Sequence, residues 1–400
     1  MALRLLVTGA APWVNSGYGK PWRYLLPRLH AAGHTMAMMP FYGWRGASTT
    51  IDVGGAPVRL YSQCKDQFFN DIVTHHVGAF EADVVITMQD VWTLTGWGQH
   101  GFTWCPNFPM DTQKVSAPVL TAIEGCHTPL VNTRWAQREL FENGWLNARY
   151  IPYSVDTSIY TPGDRHAARE ALGVPDDLFV AGVVAANSSY PSRKSFPEIL
   201  LAWKQWLEAG NDGMLYLHTT ITPTRGDGVQ LEAILHTLNI PWSTVGDPDP
   251  ERRARAKVLF VNQYRKWAGL IDDTELAQIY NAFDVLLSPS QAEGFGIPIV
   301  EAQACGVPVV TLNVTSMPEL TFAGLCLDPV QMTWEHQGGW RGVAGVNDIH
   351  EALNWADSLT TAERADLAEI GVLGAANFDF DACVERDWLP FLADLEAELC

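Results

Sequence analysis

Short apolar runs rich in β-branched residues alternate with segments of helical period along the whole chain. Such alternation restricts the fold to parallel sheets whose strands are joined by helical crossovers. In the first half the expected strands are Leu3–Thr8, His34–Met39, Asp83–Met88, Phe102–Cys105 and Pro129–Asn132. A second series runs through Leu178–Ala185, Met214–His218, Lys257–Val261, Asp284–Leu287, Val307–Leu312 and Leu325–Asp328. Two series imply two Rossmann-like sheets, and 400 residues exceed what a single hydrophobic core usually serves. The stretch IPYSVDTSIYTPGD, Ile151–Asp164, interrupts the periodicity with Pro, Ser, Thr and Gly and reads as the linker. Ala382–Leu399 reads as an amphipathic closing helix after NFDFD.

A formal net charge of −19 repels nucleic-acid phosphate and anionic lipid, so a nucleic-acid partner is disfavoured. The one basic run, RRARAK at Arg252–Lys257, reads as a solvated face. The longest apolar runs, such as Val180–Ala186 and Val307–Leu312, are strand-sized, far short of the ~20 residues that cross a bilayer. The amino terminus MALRLLVTGAAPWV turns into a loop after one apolar run and reads as a first strand, not a signal peptide. The expected location is therefore the cytoplasm. Seven cysteines (Cys64, Cys105, Cys126, Cys305, Cys326, Cys383 and Cys400) are odd in number and form no CxxC pair. That pattern fits a reducing compartment without a structural metal.

The chemistry concentrates in AEGFGIPIVEAQACGVPVV, Ala292–Val310, where Glu293 and Glu301 bracket a GFG turn. Val285–Ser288 ends a strand, Gly294 and Gly296 permit a tight turn, and Pro298 suits the first turn of a helix. That helix is expected to stop near Gly306, with the next strand following. Glu293 then lies on the loop at the carboxyl end of a parallel strand and Glu301 in the first turns of the helix. Both are expected to face the crevice where open α/β sheets bind ligands. Local physics leaves two readings open. The carboxylates accept hydrogen bonds from a polyol, or Glu301 answers the helix dipole while Glu293 is merely solvated.

The motif resembles the signature of retaining glycosyltransferases of the GT-B fold, the large glycosyltransferase family 4. The resemblance is carried by Glu-x7-Glu around GFGIP, then EAQACGVPVV and SMPEL at Ser316–Leu320. Four further segments are similar to the family's in the same order: Val14–His34, IPYSVDTSIYTP, Leu270–Ser290 and NFDFDACVERDW. The resemblance implies two Rossmann-like domains facing across a cleft. Residues 1–160 would form the acceptor side, 161–378 the nucleotide-sugar side, and 379–400 a helix crossing back to the first domain.

Residue by residue, it implies that Glu293 contacts the transferred sugar and Glu301 the nucleotide ribose. Phe295, Gly296 and Ile297 would offer backbone amides to the sugar. The family's diphosphate-binding Lys matches Lys194, but its usual Arg partner falls on Asn187 or Ser188, so Arg193 is the expected substitute. Ser316 and the amides through Glu319 would receive the diphosphate from the other side. Gly17 and Gly19 would approach the leaving phosphate, the plainer reading being a strand-to-helix turn. No GxGxxG is completed, which disfavours a nicotinamide enzyme. Asp111 takes the place of a family His on the acceptor side, with Asp90, Trp92, Trp13 and Trp104 as further candidates and His127 read as structural or exposed. DPD at Asp247–Asp249 and DFD at Asp379–Asp381 read as surface loops, and no metal or cofactor is expected.

The implied function is transfer of a hexose from a UDP- or GDP-sugar to an acceptor hydroxyl, with retention and without a metal. The acceptor class stays open among protein, glycan and small molecule. The rivals are another GT-B enzyme, such as a nucleotide-sugar epimerase, and a catalytically silent nucleotide-sugar-binding protein.

Overall fold

The computed structural model describes residues 2–223, 228–336 and 338–399, which leaves Cys400 outside the described residues. The chain divides into two compact units. One comprises Met1–Ser154, Glu335–Gly339 and Phe378–Cys400, and the other Val155–Trp334 and Trp340–Asn377. The division lies between Ser154 and Val155.

In the first unit the described strands are β1 (Arg4–Ala10), β2 (Thr35–Tyr42), β3 (Thr49–Val53), β4 (Ala56–Leu60), β5 (Val84–Met88), β6 (Trp104–Phe108), β7 (Leu130–Val131) and β8 (Arg149–Tyr150). They form one sheet in the order β3-β4-β2-β1-β5-β6-β7-β8, parallel except for the β3–β4 hairpin. β1 and β5 are buried along nearly their whole length, as strands covered on two faces must be. The core gathers Leu6, Val85, Trp97, Trp104, Phe108 and Val131. Trp104 is fully buried and its indole N–H donates to Thr87 Oγ1 at 3.2 Å, so it belongs to the core.

The second unit contains β9 (Phe179–Val184), β10 (Gly213–His218), β11 (Trp242–Thr244), β12 (Val258–Phe260), β13 (Val285–Leu287), β14 (Val309–Leu312) and β15 (Gly324–Leu327). Their order is β11-β12-β10-β9-β13-β14-β15, with every described pairing parallel. Each sheet therefore winds outward from its first strand and then returns to build the other half, the Rossmann topology. A separate hairpin, β16 (Gln331–Glu335) and β17 (Gly339–Val343), follows β15.

At the amino end of the second sheet, Asp284 is 5% exposed and holds three guanidinium groups: Arg165 at 2.6 Å, Arg169 at 2.8 Å and Arg364 at 2.9 Å. It also accepts from the Val180 amide at 2.8 Å. One buried carboxylate thus clamps the helices Arg165–Leu172 and Thr361–Ala376 to β9 and β13.

The closing segment groups with the first unit. Asp381 pairs with Arg28 at 2.6 Å, Asp394 with Arg149 at 2.6 Å, and Glu398 with His127 at 3.1 Å. It is not one continuous helix, as expected over Ala382–Leu399. Phe380–Cys383 and Leu389–Leu399 flank a π-turn at Val384–Trp388. No helix among the described residues is long and apolar enough to cross a membrane.

Candidate active site

The second sheet reverses its winding between the adjacent strands β9 and β13. Loops leaving the carboxyl ends of two such strands splay apart and open a ligand crevice. Here those loops carry Arg193 and Lys194 on one side and Glu293 on the other. Hydrogen bonds set their register: the Gln291 amide donates to Arg193 O at 2.8 Å, and Ser195 Oγ donates to Pro289 O at 2.7 Å.

The result is a compact ion cluster. Lys194 Nζ bonds Glu293 Oε1, while Arg193 Nη1 reaches Glu293 Oε2 at 3.2 Å and Ala292 O at 2.6 Å. The Glu293 side chain is 10% exposed, Lys194 18% and Arg193 25%. Burial by itself would raise the Glu293 carboxyl. The Lys194 and Arg193 charges, with hydrogen bonds from Lys194 and Ser290, overcome it and bring the pKa down to about 2. Its main chain is fixed as well, with the amide donating to Thr315 Oγ1 at 3.1 Å and the carbonyl accepting from Ser316 Oγ at 2.7 Å.

The turn that follows is built as its composition requires. Gly296 has φ +98° and caps the helix Ile297–Ala304, and a Cβ there would meet Ile299 Cδ1 at 2.8 Å. Phe295 is 3% exposed, and its carbonyl accepts from Ser316 Oγ at 3.1 Å. Glu301 stands in the second turn of that helix. It is 2% exposed, and its Oε2 accepts from the Tyr280 hydroxyl at 2.8 Å.

Ser316 is fully buried and its hydroxyl serves the carbonyls of Glu293 and Phe295. In this structure it braces the turn. The helix after it, Met317–Leu320, is a single turn, with half-buried Glu319 inside it. Asn187, at one possible position of the missing Arg, is buried: its Nδ2 donates to Thr220 O at 3.2 Å and Val229 O at 2.8 Å, and its Oδ1 accepts from Val229 N at 2.9 Å. That position tethers a loop.

In the first unit the sheet reverses between β1 and β5, and the same logic places a crevice there. Gly17 is exposed, whereas Gly19 is buried and a Cβ on it would meet Val14 O at 2.2 Å. The close approach of Gly19 is thus to its own loop. Between them Tyr18, which sequence reasoning missed, donates its hydroxyl to Asp90 Oδ1 at 2.8 Å across the switch point. Burial, then the charges of Asp90, Tyr153 and Asp111, hold the Tyr18 hydroxyl well above its ordinary pKa, so Asp111 shares this neighbourhood. Trp13 and Trp92 are 47% and 45% exposed. The acidic pairs read as surface loops are helix caps: Asp249 caps Pro250–Arg255 and Asp379 caps Phe380–Cys383. The basic run forms the exposed helix Pro250–Arg255, with Arg252 paired to Asp247 at 3.2 Å.

Residues 227–331 match the family model described as Glycosyl transferases group 1. Over 157 residues the chain is 35% identical to a D-inositol 3-phosphate glycosyltransferase of Stackebrandtia nassauensis, covering 38% of this chain and 30% of that one. Over 111 residues it is 38% identical to the O-antigen chain mannosyltransferase B of Escherichia coli, covering 25% and 29%. The chain thus spans about a third of the length of these curated relatives. Among solved structures, sucrose-phosphate synthase from Thermosynechococcus elongatus superposes with a TM-score of 0.73 at 19% identity, over 99% of this chain and 100% of that one. HepE of Anabaena, solved in complex with UDP, gives 0.68 at 15% identity, over 98% and 100%. Those likenesses establish the fold, and the matched segment contains Glu293, Glu301 and Ser316. Residues 227–331 thus carry the likeness to glycosyl transferases group 1, and the two Rossmann-like units share the GT-B fold of the solved structures.

Proposed function

We propose that the protein is a retaining glycosyltransferase that moves a hexose from a UDP- or GDP-sugar to an acceptor hydroxyl without a metal ion. The observation that carries this reading is the cluster of Arg193, Lys194 and Glu293 at the switch point of the second sheet. The cluster is a preloaded exchange. A diphosphate carries more negative charge than one carboxylate, so it draws Lys194 and Arg193 to itself. Glu293, released but still ionised, then accepts hydrogen bonds from the sugar hydroxyls.

Cleavage of the bond between the anomeric carbon and the phosphate oxygen sends the electron pair to the diphosphate. Positive charge develops on the sugar ring at the same time. Lys194 and Arg193 stabilise the departing charge, and aiming fixed donors at developing charge is typically the largest catalytic term. The acceptor oxygen forms its bond on the face the leaving group vacates, and its proton passes to the departing phosphate oxygen. The acceptor is a hydroxyl of a glycan, a protein or a small molecule. That two curated relatives are a D-inositol 3-phosphate glycosyltransferase and a mannosyltransferase supports glycosyl transfer.

The test is a donor screen read by released nucleotide, with and without chelator, on the protein and on Glu293→Ala and Lys194→Ala. Each substitution removes a charge-assisted contact, so a loss of about tenfold or more is expected from each. The chelator is expected to change little. Near-normal turnover in both variants would remove the site assignment.

A further inference from the structure

The strand-turn-helix motif places Glu301, yet a glutamate has three rotatable bonds and its helix alone does not fix where the carboxylate points. The structure supplies the missing constraint. Tyr280, on the helix Asp273–Asn281, is fully buried, and its hydroxyl donates to Glu301 Oε2 at 2.8 Å. Two rings meet the Tyr280 ring edge-on and hold it in turn: Tyr160 at 6.1 Å between centroids and Phe283 at 6.0 Å. Tyr160 is itself anchored by its hydroxyl, which donates to the buried Asp273 Oδ1 at 3.0 Å. Burial, and then the Glu301 charge, push the Tyr280 hydroxyl well above its ordinary pKa, so it remains a donor throughout the working pH range.

A phenol O–H on a rigid, doubly packed ring makes a charge-assisted hydrogen bond of fixed direction. A carboxylate has about four acceptor sites, and a donor of fixed direction at one of them fixes the angles at which the others are presented to a vicinal diol. We infer that Tyr280 is the positioning residue for Glu301, fixing its carboxylate so that it reads the ribose hydroxyls of the donor nucleotide. This rests on the assignment of Glu301 to the ribose made with the proposed function. Tyr280 touches neither sugar nor phosphate and acts only through Glu301. Its loss therefore weakens recognition of the diol, and the diphosphate contacts at Lys194 persist.

The experiment is calorimetric titration of UDP and GDP, each against its 2′,3′-dideoxy counterpart, into the full chain and into Tyr280→Phe and Glu301→Gln. The Phe variant keeps the ring that packs on Tyr160 and Phe283 and removes only the oxygen. The native chain is expected to prefer the ribonucleotide by about tenfold or more, the worth of a hydrogen bond to a charged group. Both variants are expected to compress that ratio toward one, with dideoxy affinity in Tyr280→Phe nearly unchanged. If Glu301→Gln collapses the ratio and Tyr280→Phe preserves it, the positioning role is overturned while the ribose assignment stands. Equal weakening of both nucleotides in Tyr280→Phe likewise overturns it, in favour of simple packing. If neither variant changes the ratio, or neither nucleotide binds the native chain, the ribose assignment fails first and this inference with it.

Discussion

Glu293→Gln isolates the electrostatics of the candidate site, because it keeps the shape of the side chain and removes its charge. In the folded protein the carboxyl titrates at about 2, against an ordinary value of 4.5. Its folded pKa is depressed, so its contribution is complete above about pH 4.5 and disappears as the pH falls toward 2. At roughly 1.4 kcal/mol per pH unit, that interval corresponds to about 3 kcal/mol of stability at neutral pH. A unit of this size shifts its melting point by roughly 2–4 °C per kcal/mol, so the variant should melt about 6–12 °C lower at pH 7. Calorimetric scans of both proteins at pH 7, 5, 4 and 3 give the check. The gap is expected to hold from pH 7 to 5 and to narrow at 4 and 3. Pyrophosphate should raise the melting point of the variant more than that of the native chain, since it supplies the charge that Lys194 and Arg193 have lost. Equal melting points at pH 7, or a gap that persists unchanged to pH 3, would refute the ion cluster as described.

Three further outcomes are expected. Asp284→Asn leaves Arg165, Arg169 and Arg364 around a neutral amide, and breaking such a buried pair costs about 3–5 kcal/mol, read by urea unfolding of the full chain. Asn187→Arg places a guanidinium at one of the two positions, 187 and 188, where the resemblance implies an Arg, but it removes the acceptor of the Val229 amide. Stability should fall by about 1–3 kcal/mol while the donor KM fails to improve, and an improved KM would show that the tether is dispensable. Ser316→Ala removes both bonds to the carbonyls of Glu293 and Phe295, and a loosened turn should raise the donor KM by about fivefold, measured in the nucleotide-release assay.

The buried parallel strands were legible because each is a continuous apolar run ending in a turn. The sequence-based bounds of β1, β9, β10 and β14 agree with the structure to within about two residues, the usual ambiguity of strand ends. The β3–β4 hairpin went unseen although its residues alternate between exposed and buried around Gly54–Gly55, since an edge hairpin has only half an apolar face to announce it. The hairpin β16–β17 is harder still, its strands carrying exposed Trp334 and Trp340 and few buried residues. Within the candidate site, the turn Gly294–Gly296 and the helix after it could be read locally, because their chemistry is local. The ion cluster could not. Lys194 and Glu293 lie 99 residues apart, and they meet only because the chain returns from the sheet edge to lay β13 against β9.

The same distinction explains why the partner of Glu301 was not legible in the sequence. Its spacing from Glu293 places both on one motif, but which way a helical side chain turns depends on the neighbour it packs against. That neighbour is Tyr280, 21 residues earlier on another helix. Two carboxylates that look equivalent in the motif therefore occupy opposite environments. Glu293 is held by cations and is available for exchange, whereas Glu301 is buried against a phenol and fixed in place. An exchangeable acid suits a group that must change partners during bond cleavage, and a fixed one suits a part of the donor that only needs to be held. This asymmetry would separate the two in kinetics. Conservative loss of charge at Glu293 should fall mainly on kcat, and at Glu301 mainly on donor KM. Steady-state rates of Glu293→Gln and Glu301→Gln over a range of donor concentrations measure the split. Equal losses in kcat for both would show that the two carboxylates are not divided in this way.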